Sequence, residues 1–240
     1  AAIWGSTFVI VKNATSDMPT FTFLAIRFAI AALALALLRR KPEIWKNPKL
    51  WIDGFFIGIF LFLGYALQTL GLQHTSAAKT GFITGLYVVI VPIIVAFAEK
   101  KVPNKATIAG IIIATFGLGL LSLDGFSISQ GDFLVLLCAF AFAAHIYVVS
   151  TLSKKYDSIA ITAIQLLTVS FLSLISMLLF EADATITWSS NVYLGLLLTA
   201  IPATSIAFWM QNNYKKYTTP THTALIFASE PVFAYIFAFA

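Results

Sequence analysis

The stretch Leu33-Ala34-Leu35-Ala36-Leu37-Leu38-Arg39-Arg40-Lys41-Pro42-Glu43-Ile44-Trp45-Lys46-Asn47-Pro48-Lys49-Leu50-Trp51-Ile52 decides the fold. An apolar run stops at a knot of Arg and Lys, and a second apolar run starts beyond it. Both runs approach the roughly 20 apolar residues that a helix needs to cross a bilayer. The same basic gap recurs at Lys100, Lys101 and Lys105, at Lys154 and Lys155, and at Lys215 and Lys216. The alternate gaps carry Asp17, Asp124, Asp132, Glu181 and Asp183 with few basic residues. Cytoplasmic loops keep Lys and Arg, so the alternation sets both the number of crossings and their direction.

Read outward from that gap, the chain holds nine apolar spans, near 1–14, 20–38, 51–73, 76–98, 104–122, 132–153, 158–180, 191–213 and 219–240. Hydrophobic residues make up 60% of the chain and charged ones 10%, against roughly a quarter charged in a soluble domain. Backbone inside lipid must satisfy its own hydrogen bonds, and the runs lack the alternation of barrel strands, so helices are expected throughout. With the first basic gap in the cytoplasm, all of the 15 Lys and Arg except Lys12, Arg27 and Lys79 fall inside. The N-terminus is then cytoplasmic, and a tenth span is expected to bring the chain back. The net charge of +5 resides in short loops, so it calls for no nucleic-acid partner. Cys138 lies within a span and reads as a buried thiol, and no cofactor or metal set is visible.

The chain also repeats itself. A shift of 143 residues places Gln68 on Gln211, Thr75 on Thr218, Thr80 on Thr223, Ile83 on Ile226, Val89 on Val232 and Ile93 on Ile236. A shift of 138 places Arg27-Phe28 on Gln165-Leu166. Spans two, three and four thereby fall on spans seven, eight and nine. The unit is five helices, and an odd unit inserts its second copy upside down. Inverted repeats of this kind characterise secondary transporters, with the substrate near the midplane between the copies.

Trp4-Gly5-Ser6-Thr7-Phe8, Leu24-Ala25-Ile26-Arg27-Phe28, Leu72-Gln73-His74-Thr75-Ser76-Ala77-Ala78-Lys79 and Gly81-Phe82-Ile83-Thr84-Gly85-Leu86-Tyr87 resemble the first repeat of the EamA family. Tyr217-Thr218-Thr219 and Ala228-Ser229-Glu230-Pro231-Val232-Phe233 resemble the matching segments of the second. The resemblance covers the chain as repeats at 1–122 and 132–240. It implies the drug/metabolite transporter superfamily: ten helices in a 5+5 inverted arrangement, both termini cytoplasmic, and export or exchange of small metabolites. It further suggests a bacterial inner membrane.

Ionisable groups at membrane depth cost about 2.5–3.5 kcal/mol each on insertion scales, so each needs a reason. Glu230, mid-span and followed by Pro231, reads either as a carboxyl that binds a proton or cation, or as a protonated packing group. Arg27 reads either as a clamp for a substrate carboxylate or phosphate, or as a structural partner of a carbonyl or of Glu230. His145 reads as a proton relay or as one helix-to-helix hydrogen bond. Trp4, Gln68, Tyr87, Tyr147, Gln165, Trp209 and Gln211 are large or amide groups within spans, some expected to line a central cavity and others to pack. The composite expectation is a carrier for a small molecule working by alternating access, coupled to protons or to exchange. A channel or a non-transporting scaffold is the alternative. An intramembrane enzyme is disfavoured, because no nucleophile elbow or metalloprotease motif occurs.

Overall fold

The computed structural model of the chain describes residues 1–38, 41–100, 103, 105, 108–113, 116, 129–214 and 217–238. Among the described residues the regular structure is helical: α1 Ala2–Ala14, α2 Thr20–Leu38, the short α3 Pro42–Trp45, α4 Pro48–Gln73, α5 Ala77–Gly85, α6 Tyr87–Glu99, α7 Gln130–Leu152, α8 Ser158–Phe180, α9 Ser190–Ala200, α10 Ala207–Tyr214, α11 Pro220–Phe227 and α12 Glu230–Ala238. A π-helical turn, Ile201–Ile206, joins α9 to α10. The 6 stretches 20–38, 48–73, 77–99, 130–155, 158–180 and 190–214 are long and apolar enough to cross a membrane. Leu33, Leu37, Phe97, Phe171, Leu178 and Leu194 face outward, as lipid-facing side chains do. The protein is an all-α polytopic membrane protein.

The nine expected spans fare unequally. The first is a helix of 13 residues. The fifth, 104–122, lies mostly outside the described residues. The fourth and ninth are broken helices, interrupted at Leu86 and at Ala228–Ser229.

Local chemistry sets the helix ends. Asn47 caps α4, its side chain accepting from the Lys49 N–H at 3.1 Å, with Pro48 at the first position, where its missing donor costs nothing. Ser129 and Asp132 form a capping box at the start of α7. Asp157 accepts from the N–H groups of Ile159 and Ala160, both at 3.1 Å, and starts α8. Thr219 caps α11 in the same way, through the N–H of His222 at 3.2 Å.

The packing follows a reciprocal pattern. α2 lies along α8, and α4 lies along both α7 and α8. α1 packs on α9 and on α12, while α5 and α6 pack on α7. Exchanging span one with six, two with seven, three with eight and four with nine carries these pairings into one another, with α2 on α8 returning to itself and α4 on α8 answered by α2 on α9. Small residues permit the close crossings, as expected where lipid removes any hydrophobic drive between helices. Gly58 of α4 meets Thr168 and the Gln165 carbonyl of α8, and Gly5 of α1 meets α12. A Cβ at Gly5 would stand 2.6 Å from Phe233 Cβ, 2.8 Å from the Ala234 nitrogen and 2.9 Å from the Glu230 carbonyl. Two of these are backbone atoms and cannot yield, so Gly5→Val is expected to cost at least about 1–3 kcal/mol. A lower detergent melting midpoint, absent from Ala2→Val on the exposed side, checks it.

Candidate functional site

The two helix breaks build the site. α5 stops at Gly85 and α11 at Phe227, and the chain restarts with Tyr87 and Glu230 as the first residues of α6 and α12. Unwound backbone at membrane depth is tolerated only where protein or a cavity surrounds it. Here it brings both side chains to the centre of the bundle. Tyr87 is 3% and Glu230 is 7% exposed, and the Tyr87 hydroxyl donates to Glu230 Oε2 at 3.1 Å. The break lies upstream of Pro231, which occupies the second position of α12 without disturbing its hydrogen bonds.

A cavity of about 50 Å³ surrounds this pair, room for a few water molecules at roughly 10–15 Å³ each. Of the candidate residues named from the sequence, Trp4, Gln68, Tyr87, His145, Gln211 and Glu230 line it. Thr7, Phe8, Tyr65, Thr84, Phe142, Ile146, Phe208 and Phe227 complete the lining. Thr7, Phe8, Tyr65, Phe142 and Phe208 stand one helical turn from a named residue, Ile146 adjoins His145, and Thr84 and Phe227 precede Tyr87 and Glu230 by three residues across the two breaks. Helical phase was therefore the signal that could have found them.

The lining is organised by the repeat. The shift of 143 carries Tyr65 to Phe208, Gln68 to Gln211, Thr84 to Phe227 and Tyr87 to Glu230. The shift of 138 carries Trp4 to Phe142, Thr7 to His145 and Phe8 to Ile146. Every lining residue thus has its counterpart in the lining. The Tyr87–Glu230 hydrogen bond joins two such counterparts directly.

The walls are aromatic. Trp4 lies 5.0 Å from Phe227 and 5.4 Å from Phe208, centroid to centroid, and Tyr65 lies 5.3 Å from Phe142. Trp4 is fixed by its Nε1–H, which donates to the Ala203 carbonyl at 2.7 Å. That carbonyl belongs to the π-turn, whose widened spacing frees backbone groups.

Four expected site residues support the cavity or lie apart from it. Gln165 Oε1 accepts from His145 Nε2–H at 3.0 Å and stands behind it. Trp209 is 36% exposed, turned away by one residue from the lining Phe208. Tyr147 is half-buried and outside the lining. Arg27 also lies behind the wall. It is 1% exposed, donates from Nε to Thr204 Oγ1 at 3.0 Å, and stacks over Tyr65 and Phe28 at 4.9 and 5.2 Å. The ring of Tyr65 is what the cavity sees, so the expected pairing of Arg27 with Glu230 does not occur.

The two ends of the bundle are closed differently. At the end holding the acidic gaps, Lys12 Nζ donates to the Thr75 carbonyl at 2.5 Å and Thr75 donates to Asp132 Oδ1 at 2.6 Å. Lys79 reaches Asp132 at 3.6 Å, and Ser189 donates to Asp17 Oδ2 at 2.5 Å. At the basic end, Asp53 holds Lys155 at 2.8 Å and Tyr156 at 2.6 Å. A cleft of about 390 Å³ between α1, α10 and α11 shares Trp4, Gln211 and Phe227 with the central cavity.

The pattern of the EamA-like transporter family matches residues 1–123 and again residues 129–240. An uncharacterized transporter of Archaeoglobus fulgidus is 38% identical over 245 residues, spanning 100% of this chain and 75% of its own length. The uncharacterized transporter YoaV of Bacillus subtilis is 26% identical over 251 residues, spanning 98% of this chain and 83% of its own. A protein crystal structure with 20% identity superposes with a TM-score of 0.77, covering 98% of this chain and 83% of that one, which shows the same fold. A chain matched along both halves, with an apolar helical bundle around a polar centre, belongs to the EamA-like transporter family.

Proposed function

We propose that this transporter is a secondary carrier that moves a small metabolite by alternating access, as an exporter or exchanger, with the central cavity as its substrate site. The observation that carries the reading is the pairing of every lining residue with a counterpart in the other half. Two inverted copies, 1–122 and 132–240, would place a site on their shared axis in this way, where rocking one copy against the other exposes it to each side in turn. Glu230 is the proposed binding and coupling group, with protons as the coupling ion. Gln68, Gln211, Tyr87, His145 and Trp4 orient the substrate, Gln165 holds His145, and Arg27 braces Tyr65. The Lys and Arg distribution supports a cytoplasmic N-terminus, and the family resemblance suggests a bacterial inner membrane.

On that orientation the hydrogen bonds around Asp132 seal the extracytoplasmic end, while the cleft beside Trp4 and Phe227 faces the cytoplasm. The conformation is closed to the outside. Asp132→Asn keeps only one of the two acceptors that serve Thr75 and the Ser129 N–H and removes the charge facing Lys79, weakening a charge-assisted contact. It is expected to speed labelling of a Thr7→Cys reporter by an impermeant maleimide from the extracytoplasmic side by at least about threefold. Cys138 is buried and gives little background. Unchanged labelling would remove Asp132 from the seal.

The deciding test is counterflow in proteoliposomes across a metabolite panel at two pH values. Saturable, trans-stimulated exchange of one compound class is expected. Linear, unsaturable flux would favour a channel, and no flux above empty liposomes would overturn the carrier.

A further inference from the structure

The geometry points to a small organic cation as the substrate, an ammonium or amidinium group carried on an apolar or aromatic body, with the charged group against Glu230 and Gln211. The inference rests on the cavity being the substrate site, and it names what that site selects.

The argument starts from where the two halves differ. Gln68 Nε2 donates to Thr84 Oγ1 at 3.1 Å. The counterpart of Gln68 is Gln211, but the counterpart of Thr84 is Phe227, which has no polar atom to offer. Gln211, 9% exposed, is accordingly left with Oε1 lacking any hydrogen-bond partner among the described residues. A buried amide oxygen without a donor is costly and calls for one from outside the protein. The second difference is at Tyr87 and Glu230. The first half contributes a donor and the second a carboxylate, and Tyr87 occupies one carboxylate oxygen only, Oε2. The second half thus contributes both the unpaired amide oxygen of Gln211 and the carboxylate of the cavity.

The charge balance agrees. Of the lining residues, Glu230 alone carries a formal charge with histidine neutral. The guanidinium of Arg27 is behind Tyr65, held by Thr204 and by two rings, so a substrate carboxylate or phosphate finds no cation within the lining. An anion would face the Glu230 carboxylate, whose cationic neighbour, the α-amino group of Ala1, lies outside the lining. An ammonium supplies three donors and no acceptor, which matches the free groups. The rest of the wall suits such a ligand. Trp4, Phe208 and Phe227 meet edge-on and tilted at 5.0 to 5.4 Å, offering ring faces to a cation and apolar area to its body. Two of these rings, Trp4 and Phe227, also line the cytoplasmic cleft together with Gln211.

Binding to the detergent-purified full-length protein separates the possibilities without requiring transport. The probes are phenethylamine, benzamidine, 2-phenylethanol, phenylacetate and phenylalanine, each titrated by isothermal calorimetry and by shift of the melting midpoint. The two cations are expected to bind saturably and at least about tenfold more tightly than the alcohol, with phenylacetate the weakest, since each tenfold is a modest difference in contact energy. Glu230→Gln is expected to erase the preference for amine over alcohol, and Glu230→Asp to retain it. If Glu230→Gln does not fold, the ranking on the unaltered protein already decides. Equal binding of amine and alcohol, tighter binding of phenylacetate or phenylalanine, or no binding of either cation overturns the inference. Counterflow of a non-cationic class with no amine binding leaves the carrier standing and sinks the cation site. Saturable amine binding without exchange of any compound leaves the cation site standing and sinks the carrier.

Discussion

Glu230→Gln is expected to lower saturable exchange by roughly ten- to a hundredfold while the protein keeps its yield and melting midpoint. Glutamine matches glutamate in shape, and its amide oxygen still accepts from Tyr87, whose hydroxyl lies 3.1 Å from Oε2. What disappears is the charge. Hydrogen bonds to a charged group contribute about 1.5–3 kcal/mol against about 0.5–1.5 kcal/mol for neutral ones, and each 1.4 kcal/mol is tenfold. The folded state tolerates the change because a buried carboxylate is a liability to the bundle, not a support. Counterflow of the substrate found in the panel checks the result, with melting as the control. Exchange within twofold of the unaltered protein, at both pH values, would show that Glu230 neither binds nor couples. The symmetry supplies a second arm. Tyr87→Glu with Glu230→Tyr moves the acid to its counterpart and keeps a hydroxyl opposite it. This double variant is expected to recover exchange to within about tenfold, as a site on a shared axis requires.

The sequence carries the architecture because lipid enforces it. Apolar length, the side taken by Lys and Arg, and the repeat shifts are all consequences of physics that acts on whole segments. The site is a matter of angle, and residue type alone does not give angle. Trp209 and Tyr147 are large amphipathic groups within spans, but they sit one and two residues from Phe208 and His145, about 100° and 200° around the helix. Their neighbours face the cavity and they do not. Applying the shifts to Gln68, Tyr87 and Trp4 would have returned Gln211, Glu230 and Phe142 together, which fixes the inward phase of six helices. The break at Leu86 leaves no mark in hydropathy, because the apolar run continues across it, whereas Ser229 and Glu230 interrupt the run at the second break. Pro231 signals irregular backbone nearby but stands just past the break. Arg27 was legible as a costly residue and illegible as to cause: its partners Thr204 and Tyr65 come from distant segments, and the π-turn that presents Thr204 shows in the sequence only as Pro202 inside a span.

Arg27→Ala is expected to destabilise the protein by about 3–5 kcal/mol, the scale of deleting a large buried side chain. Arg27→Met is expected to cost less than about 1.5 kcal/mol. The guanidinium fills a fully enclosed site between Tyr65 and Phe28, where a desolvated cation–π contact contributes about 2 kcal/mol. Alanine loses that contact and leaves a void beneath Tyr65, freeing a cavity wall to collapse. Methionine fills a similar volume with a flexible chain whose sulfur packs well against rings. It also removes a buried charge whose Nη2 has no hydrogen-bond partner among the described residues, and replacing imperfectly paired buried charge by apolar volume is often neutral. Thermal melting in detergent measures both variants, and the probe ranking measures what they do to the cavity. With Arg27 as a brace, Arg27→Met keeps the ranking and the exchange rate, and Arg27→Ala loses folded protein before it loses selectivity. A well-folded Arg27→Met that no longer binds any probe would place the guanidinium in contact with substrate and require Tyr65 to move aside during transport.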